Sequence, residues 1–568
     1  NPTYSFTEWN HVYLDMSKIY MVTLSADTPS PFAPENEMVK IEEEKPEDKK
    51  EEGEKEEEAG TKIDIDGIMD RQIALPVSAS NYFNLQPAGD KVYYIEFKRG
   101  EGIVAKVFDL KQKKETELGK GLNFTISANG KKMLVGMAGK WAVIDLPSGP
   151  VTITDPIDLS NMKAKVDYAA EWEQIFDESW RQMRDFFYVE NMHGVDWPAM
   201  KEKYGELVPY VKHRDDLTYV IGEMIGELSV GHAYINSGDK PKAERIKTGL
   251  LGAELSKHSS GYFQVDKILK GANWSDDLRS PLSELGVGVK EGDYILAVNG
   301  NSVKEMKDIY QALVGMANQE VELTVNSEPE MEVSKEVIVK TIDDESNLYY
   351  FNWVQKNVDY VNEKTDGQVG YIHIPDMGPG GLNEFAKYFY PQLDKKGLII
   401  DDRGNGGGNV SPMIIERLRR EVTRATMRRN FPEGNAVPNR MMLGPKVLLI
   451  DRYSASDGDL FPYSFKKHEL GTVIGTRSWG GVVGITGSLP FLDGQDLRKP
   501  EFASYSSEKS DWIIEGYGVD PDIYLDNDPH QEYLGNDAQL DKAIEVILED
   551  IKDYKGIPPV PAPPDKSK

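Results

Sequence analysis

The chain contains no cysteine. That removes thiol nucleophiles, disulfides and cysteine-ligated metal sites together, and leaves the redox compartment open. Histidine is scarce at eight in 568 residues, and none of the eight forms an HExxH-like pair, which disfavours metal catalysis. No run of about 18 apolar residues exists that could span a bilayer, and the start Asn1-Pro2-Thr3-Tyr4 has neither a basic n-region nor an apolar h-region. Because the chain begins without Met, a removed leader or removed domains are expected, and a periplasmic or secreted location stays open. Positive charge is short as well: 66 Lys and Arg face 95 Asp and Glu, a net charge of −29. A polyanion repels phosphate backbones and anionic lipid alike, so neither nucleic acid nor membrane insertion is expected.

What is present is a chain rich enough in apolar and aromatic residues, 39% and 10%, to pack real cores. Its length suggests about three to five domains. Residues 1–160 carry short strands punctuated by Gly and Asn turns, such as Lys91 to Phe97, Val107 to Leu110 and the Ser127-Ala128-Asn129-Gly130 turn before Met133. That is the texture of β-propeller blades, but a blade takes about 40–45 residues, so this stretch holds two or three and cannot close a ring. Within it, Glu35 to Glu58 contains thirteen acids and five bases, which predicts a solvated, disordered loop over 35–60.

From residue 165 to 245 the period turns helical. Trp172, Phe176, Trp180, Met183 and Phe187 fall three or four apart on one stripe, which reads as core. A second helix, capped near Asp215 or Asp216, should run through Leu217, Ile221, Met224 and Leu228. It delivers the chain to Gly231-His232-Ala233-Tyr234, placing His232 at a helix-to-strand junction. Residues 246–345 hold the string Gly286-Val287-Gly288-Val289-Lys290-Glu291-Gly292-Asp293-Tyr294 and the tight Asn299-Gly300 turn, with a helix expected from Met306 to Leu313. This resembles a PDZ domain. In such domains a Gly-Leu-type loop, here Gly249-Leu250-Leu251-Gly252, holds a peptide's terminal carboxylate while an edge strand pairs with the peptide. A pure packing role is the alternative.

Residues 346–550 alternate strands and helices: strand Gly397 to Asp401, helix Ser411 to Val422, strand Lys446 to Ile450, helix Leu460 to His468 and strand Thr472 to Gly475, before a Pro- and Lys-rich tail over 551–568. That is the βαβ order of a parallel sheet covered by helices, whose chemistry gathers at the carboxyl ends of the strands. Two strings lie there. Asp402-Arg403-Gly404-Asn405-Gly406-Gly407-Gly408 can present bare amides to an anion, as a phosphate cradle or an oxyanion hole, though the Lys and Ser/Thr of a P-loop are missing. Ser454-Ala455-Ser456-Asp457-Gly458-Asp459 sets Ser456 at the start of a helix, where it is either a cap or a nucleophile whose neighbouring amide faces an oxyanion.

In their order along the chain, Gly-His-Ala-Tyr, the PDZ-like unit, the Gly-rich loop, the Ser-Asp-Gly-Asp turn and the late string Glu515-Gly516-Tyr517-Gly518-Val519-Asp520 resemble the tail-processing serine peptidases, specifically the tricorn branch. The resemblance covers roughly residues 165–550. It implies a multidomain α/β and β protein with propeller-like strands, a helical segment, a PDZ-like domain and a crotonase/ClpP-like catalytic domain. By the same resemblance Ser456 matches the nucleophile, His232 its activating base and Glu515 the supporting acid, and the amides of Asp457 and Gly407 match the oxyanion hole. A serine hydroxyl needs such a base before it attacks. Peptides or unfolded chains are the implied substrates, with no cofactor, a cytoplasmic setting and assembly into a homo-oligomer.

One departure stands out. The family usually has Ser just before the histidine, relaying between acid and imidazole, and here the residue is Gly231. Glu515 then reaches His232 directly or through water, another hydroxyl such as Ser229 substitutes, or catalysis is weakened. A Ser–Lys dyad is the rival mechanism, with Lys466 and Lys467 on the nucleophile's own helix pointing away from its start. A PDZ-bearing scaffold without catalysis is the rival function. The segment Arg417 to Arg429 offers Glu421 as its only acid, so a preference for basic side chains is not expected.

Overall fold

A computed structural model of the chain describes residues 2–4, 11–33, 61–487 and 489–567. It divides into two units, Asn1–Lys165 and Val166–Lys568. The acidic run expected as a disordered loop over 35–60 lies outside the described residues.

In the first unit, strands Asn81–Ala88, Lys91–Lys98, Gly102–Asp109 and Lys114–Lys120 form an antiparallel meander. Strands Asn123–Ile126, Lys132–Met137 and Lys140–Asp145 form a three-stranded sheet beyond it. Tyr93, Ile95, Val107, Leu118, Phe124, Met133 and Val135 share one core. These are two blade-sized sheets, and a propeller ring takes at least about four.

The second unit opens with helix Tyr168–Phe186, whose Asp167 side chain caps the amides of Ala169 and Ala170. Phe176, Met183 and Phe187 of the expected stripe are buried, and Trp172 and Trp180 pack at its margin. The next long helix, Arg214–Gly226, is capped two or three residues earlier than expected. His213 is its cap, and the Asp216 carboxylate returns to the His213 amide to close a capping box. Leu228 is buried but lies past the helix end. The buried Arg214–Asp493 ion pair, Nε to Oδ2 at 2.7 Å, ties this helix to the loop before strand Leu497–Phe502.

The PDZ-like unit is an antiparallel sheet ordered Ala253–Lys257, Phe263–Ile268, Tyr294–Val298, Glu320–Asn326, Lys335–Lys340, around its own apolar core. Both turn residues Asn299 and Gly300 have positive φ, which two-residue hairpins of this kind require. The helix expected from Met306 to Leu313 shrinks to one 3₁₀ turn, Ile309–Ala312. The Asp308 side chain caps Gln311, and Val314 is already drawn into a bridge with Thr248.

The last part is a five-stranded parallel sheet ordered Val369–His373, Gly397–Asp401, Lys446–Ile450, Gly471–Gly475, Ile523–Tyr524. Alternate residues of each strand point to opposite faces. Ile372, Leu398, Ile400, Leu448, Ile450 and Val473 pack under Phe385, Phe389, Ile414, Phe461 and Phe465. Tyr371, Ile399, Val447, Leu449 and Ile474 pack under Val361, Leu540, Ala543, Ile544 and Ile547. Each such side chain contributes about 1.5–3 kcal/mol on burial, so the sheet is held from both faces. Two helix ends differ from expectation. Helix Ser411–Leu418 stops four residues short of Val422, because Arg419 leaves helical geometry and the chain enters the hairpin Arg424–Arg428 and Phe431–Val437. Helix Asp457–Lys467 starts three residues before Leu460, directly after Ser456.

Candidate active site

The strand Lys446–Ile450 runs into a turn that the sequence fixes at several points. The Ser454 hydroxyl donates to the Asp402 carbonyl at 2.8 Å, and the Ala455 amide donates to the Asn405 carbonyl at 2.8 Å. Ser456 is thereby held at φ 58, ψ −118, a region that side-chain-bearing residues avoid and that costs about 1–3 kcal/mol. Its amide donates to Asp459 Oδ2 at 2.9 Å. The Asp457 carboxylate accepts from the Ser411 amide at 2.8 Å and from the Ser411 hydroxyl, locking the two helix starts together. The Asp457 amide takes no hydrogen-bond partner among the described residues.

The Gly-rich loop lies against this turn. A Cβ on Gly407 would stand 2.6 Å from Ser456 Cβ and 2.9 Å from the Asp457 nitrogen, so only glycine fits there. A Cβ on Gly458 would stand 2.5 Å from the Asn405 carbonyl oxygen, which explains the glycine in Ser-Asp-Gly-Asp. Asn405 organises the loop: its Nδ2 donates to the Ile374 carbonyl and to Asp402 Oδ1, and its Oδ1 accepts the Gly407 amide at 2.9 Å. The expected oxyanion donor Gly407 is thus beside the nucleophile position with its N–H already engaged, while the Gly408 amide takes no partner among the described residues. Asp402 is fully buried. Burial, with the Asp401, Asp451 and Asp459 charges nearby, pushes its carboxyl well above the usual carboxylate range.

His232 is buried and precedes the short strand Tyr234–Ile235, which pairs with Leu497 and Arg498. Burial holds its imidazole below the ordinary histidine range, and the Glu515 charge opposes that shift. Trp479 connects it to the Ser456 turn: the indole lies 5.1 Å from the imidazole, and the Trp479 amide donates to the Ser454 carbonyl at 3.0 Å. The next two amides, Gly480 and Gly481, donate to the Asp459 carboxylate that also holds Ser456. The Ser456 turn is therefore fastened to Trp479, Gly480 and Gly481, and of these three Trp479 also meets the His232 ring.

Glu515 reaches the site but not the imidazole. Its Oε1 accepts the Gly231 amide at 2.9 Å, and its Oε2 accepts those of Val482 at 2.7 Å and Val483 at 3.0 Å. The glycines around it are needed for contact: a Cβ on Gly518 would lie 2.3 Å from the Ser478 carbonyl oxygen. His232 Nδ1 instead faces the Tyr234 hydroxyl at 2.7 Å. Sequence reading overlooked Tyr234, Trp479 and Asn405. The signals were available, since Tyr234 shares a face with His232 on an extended segment and Ser478 to Gly481 directly follow a strand of the parallel sheet. Ser229 sits exposed in the turn after the helix and makes no hydrogen bond to His232 among the described residues. Lys466 donates to Asp522 at 2.6 Å and Lys467 pairs with Glu508, so neither serves Ser456.

The loop Gly249 to Gly252 stands apart from this cluster and already holds a carboxylate. The Gly252 amide donates to Glu345 Oε1 at 2.7 Å, and the Leu251 and Ala253 amides lie close enough to favour the same carboxylate. The Leu250 amide pairs with the Ile342 carbonyl and the Gly249 amide with the Leu313 carbonyl. No cluster of His, Asp and Glu suited to a metal occurs among the described residues, and no helix among them is long and apolar enough to cross a membrane.

Comparison with known proteins matches this arrangement part by part. Residues 168–226 match the Tricorn protease C1 domain, 249–344 the Tricorn protease PDZ domain and 368–525 Peptidase family S41. The chain carries tricorn-type C1 and PDZ domains and an S41 peptidase domain. It is 34% identical over 570 residues to Tricorn protease homolog 1 of Streptomyces coelicolor, covering 96% of this chain and 53% of that protein. It is 33% identical over 496 residues to the Tricorn protease of Thermoplasma volcanium, covering 85% and 47%. The crystal structure of the tricorn protease superposes with a TM-score of 0.83 at 28% identity, over 97% of this chain and 53% of that one. This tricorn-type chain thus spans about half the length of the curated relatives it matches. Within it, the residue before the histidine is Gly231, where a Cβ would lie 2.7 Å from Gly481 Cα.

Proposed function

We propose that this chain is the catalytic half of a serine peptidase that cleaves peptides or unfolded chains through an acyl-enzyme. Ser456 Oγ attacks the scissile carbonyl while its proton passes to His232 Nε2. The amide of Asp457 and an amide of the Gly407–Gly408 segment stabilise the oxyanion, the imidazolium returns the proton to the leaving amine, and water repeats the sequence to release the acid. Glu515 contributes by fixing the backbone at Gly231, just before the histidine, together with the Val482–Val483 segment, and by its charge. The observation that carries the reading is the conformation of Ser456: a strained serine at a helix N-terminus, against a glycine that leaves two amides beside it. Strain of that kind is expected where the surrounding structure holds it for function.

In this reading the enzyme works as a homo-oligomer in the cytoplasm and needs no cofactor. The test is hydrolysis of a fluorogenic peptide library by the full chain and by Ser456→Ala. Turnover by the wild type that is lost in the variant supports the peptidase. A wild type that is folded and inert, with peptides bound but not cut, supports the scaffold instead.

A further inference from the structure

The relay serine is missing, yet His232 Nδ1 is not left bare. We propose that the Tyr234 hydroxyl takes the place of that serine, as the positioning residue that fixes the tautomer and orientation of His232. The inference rests on the Ser456–His232 peptidase reading. His232 and Tyr234 are two residues apart on an extended segment, so their side chains leave the backbone on the same face. Pairing of Tyr234 with Arg498 fixes that segment in a sheet. The rings lie 5.6 Å apart at 54°, and Nδ1 and Oη are 2.7 Å apart.

The alternatives for the same task are occupied or blocked. Glu515 gives its oxygens to three backbone amides. A side chain at position 231 would run into the Gly481 backbone. The titratable groups facing the imidazole are Tyr234, two residues on, and Glu515 from the late loop, while Trp479 covers another side without charge.

In the proposed arrangement Nδ1–H is the donor and Tyr234 Oη the acceptor. When Nδ1–H donates to Tyr234 Oη, the lone pair of the neutral ring is on Nε2, where the Ser456 proton must go. After transfer the imidazolium keeps its Nδ1–H on the same oxygen, and no proton moves to the tyrosine. Burial pushes the Tyr234 hydroxyl upward, so it stays a phenol throughout. A wrong tautomer is known to cripple such a base, because a protonated Nε2 cannot accept.

Tyr234→Phe removes one oxygen and keeps the ring and the strand pairing. With a fluorogenic peptide, kcat should fall about 10- to 100-fold, up to the low end of the roughly 10²–10⁴ that general base catalysis supplies, while KM stays near wild type. The imidazolium loses an acceptor, so the acid limb of kcat/KM should move to lower pH. In ¹⁵N-histidine spectra, with the His232 signals identified by their loss in His232→Ala, the wild type should show one Nδ1–H tautomer and Tyr234→Phe a mixture. An unchanged tautomer, kcat and acid limb overturn the proposal. If the spectra show the Tyr234-dependent tautomer but no peptide is cut by wild type, the positioning contact stands and the peptidase reading has failed.

Discussion

Gly231 donates its backbone N–H to Glu515 Oε1 at 2.9 Å across 284 residues of sequence. The acid that family resemblance assigns beside the histidine is therefore spent on the backbone that carries the histidine, and its influence on the imidazole is by charge and placement.

Glu515→Gln should separate those two influences. A neutral amide accepts less strongly and cannot satisfy three amides, and hydrogen bonds to charged groups are worth about 1.5–3 kcal/mol each, so urea unfolding should show a loss of about 1–3 kcal/mol. The pH effect has a definite sign. Burial lowers the His232 pKa and the Glu515 charge raises it, so removing the charge lowers it further. Activity requires the neutral imidazole, hence the acid limb of kcat/KM should shift to lower pH than in wild type, where it already lies below the ordinary histidine value.

Restoring the family's serine should not help. In Gly231→Ser the new Cβ stands 2.7 Å from Gly481 Cα and 3.2 Å from Glu515 Oε1, so the backbone must shift. Overpacking of this kind costs about 1–3 kcal/mol. Lower kcat/KM and a lower melting temperature are expected, and a gain in activity would mean that the segment is freer than the geometry indicates.

Ser456 offers a test of backbone strain that is independent of chemistry. At an ordinary site glycine is less stable than alanine by about 0.5–1 kcal/mol. At φ 58, ψ −118 the order should reverse, with Ser456→Gly more stable than Ser456→Ala by about 1–2 kcal/mol in chemical denaturation. Equal stability, or alanine the more stable, would remove strain from the account.

What could be read in the sequence is what local pattern encodes. The parallel sheet was legible because strands such as Gly397–Asp401 are continuous apolar runs, and the Ser456 turn because it lies between a strand and a helix. The end of helix Ser411–Leu418 was not, since Arg419 to Val422 have ordinary helix propensity and the hairpin after them overrides it. Glu345 was invisible for a different reason. Nothing near it in sequence marks it as the partner of amides some ninety positions earlier, a contact that only tertiary folding creates. Tyr234 was legible in principle from its spacing to His232, but a tyrosine beside a histidine reads as core until the hydroxyl is located.

The occupied loop of the PDZ-like unit leads to a further expectation. A heptapeptide ending in a free valine carboxylate competes with Glu345 for the same amides, so the wild type should bind it weakly in fluorescence anisotropy. Glu345→Ala should bind it at least about tenfold more tightly, a difference of about 1.4 kcal/mol, while the amidated peptide should not gain. Equal binding of both peptides by wild type and variant would show that the loop is a packing element only.

Ser456 is proposed as a nucleophile served by His232. Intact-mass and peptide mapping after reaction with a fluorophosphonate measures it most directly. A single adduct on Ser456 is expected, formed at a rate that falls steeply in His232→Ala and hardly at all in Lys466→Ala. Absence of labelling in a folded wild type, or labelling of Ser456 that is indifferent to His232, contradicts it.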